Sequence, residues 1–398
     1  MTRRDTAYEP DGFALPAAIL ALIVVGVLVT GGFYMARQET RIGTASANSA
    51  LAFYLAERGV TDVMESWDAT SYASLDPWET VTRTDTTSEG IWSVDVTRVA
   101  AQMYMLEADA RITRGGALQG GAHRSMGVIV KLRTADITPP AGLTTQGLIN
   151  FGGSAIIKGA DTPPDGSGSG SADWGNACDA FPTDDMPGLL IDDTTNIDWQ
   201  GNRTNIEGEM TGDPKFTQDT TITSDNLLDF GDMQWAELTS LAGVTITSST
   251  PPDPAPVVDG GRCVPMSSNW GDPLDTTSVC FDYYPIIHLN NPGETRLQGG
   301  FGQGILLVEG DLRVTGGFEF YGPVYVKGTL TTAGAGGHFW GGVVAANVDI
   351  NSNTVLGDAE IQFSSCAVER AIRLNANLIR PELLAERSWI DVSGAGGS

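Results

Sequence analysis

Histidine is scarce in this chain. Its 398 residues hold three, His123, His288 and His338. That leaves little material for a histidine-based catalytic or metal centre. Basic residues are few as well: 23 Lys and Arg stand against 49 Asp and Glu, a formal charge of −26. A surface that acidic repels phosphate backbones, so contact with nucleic acid is not expected. Charged residues make up only 18 % of the chain, which excludes a charge-rich disordered protein. None of the four cysteines sits in a C-x-x-C pair, which excludes common zinc and thioredoxin-like arrangements. No G-x-S-x-G, H-E-x-x-H, Walker or EF-hand pattern occurs. The glycine-rich runs at 166–175 and 299–304 are not G-x-G-x-x-G turns between a strand and a helix.

Glycine is what the chain has in excess, 49 residues against a usual share of roughly 7 %. With many Thr, Ser, Asn and Asp, this composition points to turn-rich β structure. The cysteines, Cys178, Cys263, Cys280 and Cys366, all follow the one membrane-length segment. An even number on one side of a membrane fits two disulfides in an oxidising compartment. Three connectivities are open. Cys263–Cys280 closes a short Pro/Gly/Trp-rich loop and is the first choice, leaving Cys178 and Cys366 for each other.

Residues 13–34 form a run of 22 without a charge. As a helix the run is roughly 33 Å long, enough to cross a bilayer. Arg3 and Arg4 precede it and Arg37 and Arg41 follow it, so counting of basic residues is nearly balanced. The run is too long for a signal peptide and has no small-x-small end. It passes straight into ARQETRIGTASANSALAFYLAERGVTDVMESW, which lacks proline and favours helix. Ala45, Ala52, Ala56, Val60, Val63, Met64 and Trp67 form an apolar stripe at three-four spacing. One long helix is predicted, its first half in lipid and its second half amphipathic. An uncut single-pass anchor is the plainer reading.

This design resembles the type IV pilin superfamily. In that family a short polar leader ends in Gly, and a prepilin peptidase cuts before a Phe that is then N-methylated. Gly12 and Phe13 match those positions. Ala52, Phe53, Ala56, Glu57 and Gly59 match the A-F-x-x-A-E-x-G signature of the PilX-type minor pilin N-terminal domain. Asp11 departs from the basic residue common in such leaders. Ala17 stands at mature position 5, where major pilins carry Glu, as in rare subunits that cap a filament. The resemblance implies a protein held in the inner membrane by a single pass, N-terminus cytoplasmic and bulk outside. Its implied partners are the inner membrane, the prepilin peptidase, other pilins and a host or environmental surface ligand.

Three alternating stretches, 91–99, 103–112 and 125–133, predict an antiparallel meander. Trp92, Val94 and Val96, then Tyr104, Leu106, Ala108, Ala110 and Ile112, then Met126, Val128, Val130 and Leu132 form its buried face. The helix stripe is the natural cover. Pro139-Pro140 ends the unit.

A six-residue repeat follows. Gly304, Gly310, Gly316, Gly322, Gly328 and Gly334 mark it, with Leu306/Val308, Leu312/Val314, Phe318/Phe320, Val324/Val326 and Leu330/Thr332 two and four residues on. Six is even, so these positions share one strand face. The opposite parity, with Glu309, Arg313, Tyr321, Tyr325 and Lys327, is predicted to face outward. Gly147, Gly153 and Gly159 carry the same code, and it continues weakly past Gly357. Short fixed periods mark solenoids, and a parallel β-helix is predicted; a glycine-rich antiparallel sandwich is the alternative. The repeat resembles bactofilin-like and adhesin-like β-helical stacks.

The expected fold class is thus α+β pilin-like, followed by an all-β solenoid. The expected domains are a leader at 1–12, a pilin helix at 13–75 and an antiparallel sheet at 76–140. A solenoid at 141–375 is interrupted by an insertion at 161–298, and a tail covers 376–398. Asp184-Asp185, Asp192-Asp193 and Asp272-x-x-Asp275 offer the hard oxygen donors Ca²⁺ takes but match no fixed loop, so no cofactor is expected. Trp174 and Trp270, beside Asp173 and Asn269, could stack on sugars, with loop anchoring the plainer reading. Three functions follow: a minor-pilin-like subunit that primes or caps a filament, a membrane-anchored adhesin, and a polysaccharide lyase. The lyase needs convergent acids and cations, and the outward face offers only Arg313 and Lys327, so an enzyme is not expected.

Overall fold

The computed structural model describes residues 14–114, 117–165, 172–181, 184–347, 353–375, 378–384 and 389–391. The chain divides into two compact units: 1–66 with 75–131 and 383–398, and 67–74 with 132–382.

In the first unit, helix α1 runs without interruption from Ala14 to Glu65. Its 52 residues reach about 78 Å at the α-helical rise. Pro16 falls in the first turn, where it is tolerated. The hydroxyls of Thr30, Thr40 and Thr44 donate to the carbonyls of Gly26, Ala36 and Thr40. The helix stops at Glu65 instead of continuing to 75. Asp68 caps a separate short helix, Ala69–Ala73, its side chain accepting from the Ser71 amide at 3.0 Å.

Strands β1 (Thr80–Thr86), β2 (Gly90–Ala100), β3 (Met103–Arg114) and β4 (Ala117–Thr134) pair antiparallel in chain order. The three expected strands are present with the expected face buried. β1 was not expected. Its sequence, TVTRTDT, has no apolar alternation, and it adds to the edge through backbone pairing helped by the Thr80–Thr97 and Thr82–Asp95 side-chain bonds. The segment expected as a tail also contributes, as Trp389–Asp391 pairs antiparallel with β4.

The second unit is built on three sheets of parallel strands. The chain visits them in turn with β5 (Leu143–Thr145), β6 (Ile149–Gly152) and β7 (Ile156–Lys158). Next come β8 (Leu189–Ile191), β9 (Ile197–Gln200), helix α2 (Arg203–Glu209), β10 (Phe216–Gln218), helix α3 (Trp235–Ser240) and β11 (Val244–Ile246). The repeat proper holds β12 (Ile286–Leu289), β13 (Thr295–Leu297), β14 (Phe301–Gln303), β15 (Ile305–Val308), β16 (Leu312–Thr315) and β17 (Phe318–Tyr321). It continues with β18 (Val324–Val326), β19 (Leu330–Ala333), β20 (Gly337–Trp340), β21 (Val343–Ala345), β22 (Asn353–Val355) and β23 (Glu360–Gln362), then helix α4 (Ser365–Arg373).

One sheet has the order β10-β8-β5-β21-β18-β15-β12-β11, the second β13-β16-β19-β22-β6-β9, and the third β14-β17-β20-β23-β7. Leu306 pairs with Val324, Leu312 with Leu330 and Gln303 with Tyr321. Each partner lies 18 residues on, three of the six-residue repeats, so one repeat serves each sheet. All ten positions expected to face inward are fully buried.

Glycine is required where the chain turns between sheets. Gly322 has φ +135°, and a Cβ there would lie 1.9 Å from the Gly304 carbonyl oxygen in the strand layer beneath. A side chain would push the layers apart.

Two expectations change. Residues 161–298 are not an insertion outside the sheets, because β8 to β13 lie in that stretch and hydrogen-bond within them. These strands are short and no glycine period marks them. The outward parity is also not uniformly exposed. Tyr321 and Tyr325 are buried in a second apolar cluster with Trp174, Phe230, Leu238 and Tyr284. Both ends of the main core are covered, by Ile206 of α2 with Met210 just after it, and by Trp270, whose ring lies 6.0 Å from Phe318 and 6.5 Å from Phe320.

Gly316 and Gly317 separate two effects. Both have φ +80°, but only Gly316 is blocked, a Cβ there falling 1.9 Å from the Gln298 carbonyl oxygen. Gly317→Ala is expected to cost about 1–2 kcal/mol of backbone strain. Gly316→Ala is expected to cost about 3 kcal/mol or more, since a backbone carbonyl must also move. Urea denaturation of the two variants measures the difference.

Candidate functional site: the uncovered half of the long helix

Helix α1 divides by what covers it. From Leu15 to Ala47 its residues are exposed, with Gln38 alone half-buried. Leu15 is 74 % exposed, and Leu20, Leu22, Val27, Leu28, Phe33 and Tyr34 are similarly open. This segment is long and apolar enough to cross a membrane. Ala17 lies on it, exposed. Arg37, Glu39 and Arg41 are its first charged side chains and are exposed too. Gly12 and Phe13 lie outside the described residues.

Further along, β2 and β3 cover one face. Ala52, Leu55, Ala56, Gly59, Val60 and Val63 are buried at three-four spacing. Ala45 does not join them. It lies a turn before the first half-buried positions, Asn48 and Ser49, where Arg124 donates to the Ser49 hydroxyl at 2.7 Å. Met64 is half-buried. Leu55 belongs to the stripe although sequence reading passed over it.

The signature residues separate accordingly. Ala52, Ala56 and Gly59 are small because the sheet approaches closely. A Cβ on Gly59 would sit 2.9 Å from the Trp92 ring, which is itself buried. Phe53 faces away, 40 % exposed and edge-on to Tyr54 at 6.3 Å between centroids. Glu57 is half-buried.

The cysteines form two bridges, Cys263–Cys280 and Cys178–Cys366. Trp174 and Trp270 do not offer faces to sugars, because both are buried. Their ring nitrogens donate to the carbonyls of Pro273 and Ser267 at 2.8 and 2.9 Å. The acidic pairs hold turns. Asp192 accepts from the Gly147 amide, Asp193 from Thr195 and Asp275 from Thr277. Asp185 accepts from the Asp161 amide, and Asp161 from the amide of Asp184. Among the described residues no group of three or more His, Cys, Asp or Glu is placed to hold a metal ion.

Two clusters of titratable side chains went unforeseen. Asp109, His123 and Ser125 meet on the sheet face opposite the helix. Asp109 accepts from the Ser125 hydroxyl at 2.9 Å and bonds His123 Nε2, and the same nitrogen is 3.5 Å from Ser125 Oγ. A relay needs the acid and the hydroxyl on opposite ring nitrogens; here both share one. On the sheet of β12, β15 and β18, Glu309 accepts from Lys327 Nζ at 2.6 Å and from Trp235 Nε1 at 2.8 Å, with His288 Nε2 at 3.5 Å. Burial pushes the Glu309 carboxyl up, but the bonds from Lys327 and Trp235 outweigh it and hold the group below the ordinary carboxylate range. Burial pushes His288 down, against the pull of Glu309. Of the two outward cations in the repeat, Lys327 is thus bound to Glu309, and Arg313 lies 4.0 Å from Glu294.

No family model matches this chain, and no curated protein or solved structure is similar to it. What it does must be argued from its own geometry.

Gly59→Val is expected to lose about 2 kcal/mol by forcing the helix off Trp92. Gly43→Val, where a Cβ meets nothing within 4 Å, is expected to change stability by less than about 0.5 kcal/mol. Chemical denaturation in detergent, read by tryptophan fluorescence, compares them. His288 makes a separate prediction. Its folded form resists the proton more than the unfolded chain does, so stability is full above about pH 6.5. It is lost as pH falls from there towards the lower folded value. The urea midpoint measured from pH 7.5 to 5.5 should therefore fall in the wild type and lose part of that slope in His288→Gln.

Proposed function

We propose that this chain is a minor-pilin-like structural subunit of a type IV pilus-like filament. One observation carries the reading. A single unbroken helix has an uncovered apolar half of membrane length and a second half seated on an antiparallel meander through small residues. Such a helix has two stable environments, lipid before assembly and a bundle of like helices after it. The match of Gly12-Phe13 to a prepilin cleavage site supports the same reading. The peptidase, the inner membrane and other pilins are its partners. The chain crosses the membrane once, N-terminus in the cytoplasm, and its bulk is exported.

Ala17 in place of Glu supports an end position, priming or capping the filament. The second unit is read as a parallel β-helix displayed at the surface. The three parallel sheets and the eighteen-residue register support that assignment. The role is structural, not catalytic, and needs no cofactor.

Intact mass and peptide sequencing of the protein from membrane and sheared-surface fractions test this. The expected chain begins at N-methylated Phe13 and occurs in both fractions. A chain that keeps Met1 or Thr2 and stays in membranes overturns the reading, leaving a membrane-anchored adhesin.

A further inference from the structure

The strand order means that the chain enters the stack of strands in its middle. β5 and β6 pair on one side with β8 and β9, which follow soon after. On the other side β5, β6 and β7 pair with β21, β22 and β23. Leu143 is opposite Val343, 200 residues away. From β12 to β23, by contrast, partners are 17 residues apart (Thr295 and Leu312) to 23 apart (Thr331 and Thr354). A pair that closes a long loop costs more chain entropy to form than a pair of short separation. A stack with nearest-neighbour coupling opens at its ends or at its weakest junction. Here both ends are covered.

The interior also changes character at this junction. Down one column Leu312 and Leu330 are followed by Asn353, then Ile149; down another Val308, Val326 and Ala345 are followed by Thr145. Asn353 donates to the Thr145 hydroxyl at 2.8 Å and accepts from the Leu330 amide at 2.8 Å. Gln146 donates to the Ala346 carbonyl and Asn347 to the Gln146 carbonyl, both at 2.8 Å. At the third sheet Lys158 meets the buried Glu360 at 2.5 Å. Buried polar pairs of this sort are satisfied in one register and leave unpaired groups in any other. They select the partner strand.

Cys178 lies in the stretch of chain that links β7 to β8, strands on one side of the junction, and Cys366 follows β23, a strand on the other. Their bond joins the two sides. We propose that the junction of β5–β7 with β21–β23 is a latched joint. With Cys178–Cys366 intact it is shut. When a dithiol supplies two electrons and two protons, the bond becomes two thiols and the dithiol becomes its cyclic disulfide. The stack then opens at this joint while β12 to β20 stay paired. The joint is thereby completed only where disulfides form. This holds whether or not the chain enters a filament.

Hydrogen exchange on the full chain in detergent tests the joint. In Cys263→Ser/Cys280→Ser only the latch remains, and dithiothreitol is added after folding. Amides of β5–β7 and β21–β23 are expected to exchange about tenfold faster on reduction, and those of β15–β20 to stay within about twofold. No change at the joint overturns the proposal, and so does an equal rise from 143 to 362, which would make the stack one cooperative unit. If that variant does not accumulate, Cys178→Ala/Cys366→Ala gives the same reading without reductant. Its joint is expected to exchange about tenfold faster than the wild type's, with the same two outcomes overturning it.

Discussion

A strand of three or four residues cannot hold itself in place. It makes too few hydrogen bonds and buries too little surface. Every described strand of the three parallel sheets in the second unit is of this kind, so each depends on its neighbouring layers. That dependence dictates the residues. The inward positions must be apolar in every layer, as Leu306, Val324 and Val343 are in one column. The turns must let one backbone lie on the next, which is why a Cβ at Gly322 would strike the Gly304 carbonyl. The ends, which have no next layer, must be closed by something else, and α2 with Met210 and Trp270 do this.

The same reasoning explains how much could be read in advance. The repeat from 304 to 334 was legible because six is even, so an apolar pair returns to the same face each time and glycine marks each turn. The meander was legible for the same reason at period two. β8, β9 and β10 were not legible. They use the same sheets, but their spacing is broken by helices and turns, and no glycine series announces them. β1 was missed because an edge strand needs only its backbone. The covering of Tyr321 and Tyr325 was missed because the residues that bury them come from distant stretches, around Trp174, Phe230 and Leu238. Long-range pairing leaves no periodic trace.

The candidate site was legible in part. The apolar run and the small residues on one helix face predicted which half would stay uncovered and where the sheet would lie. The upper limit of the covered face was misjudged, since Ala45 fits the stripe but the sheet does not extend to it. Sequence periodicity says which residues could be buried. Which ones are buried depends on how far the partner reaches.

The two units treat apolar surface differently, and this difference bears on association. In the second unit both ends of the core are covered, and Tyr321, Tyr325, Trp340 and Ile305 on its outer side lie under the second cluster. The large exposed apolar side chains instead concentrate on α1, from Leu15 to Met35. Contiguous exposed apolar surface of that extent is stable only in lipid or against another apolar surface. The sheet seats the helix at one end, against the helix's small residues Ala52, Ala56 and Gly59, and leaves the other end uncovered. Among the described residues, then, the extended uncovered apolar surface lies on one helix, and the core of the parallel sheets is covered by the chain itself.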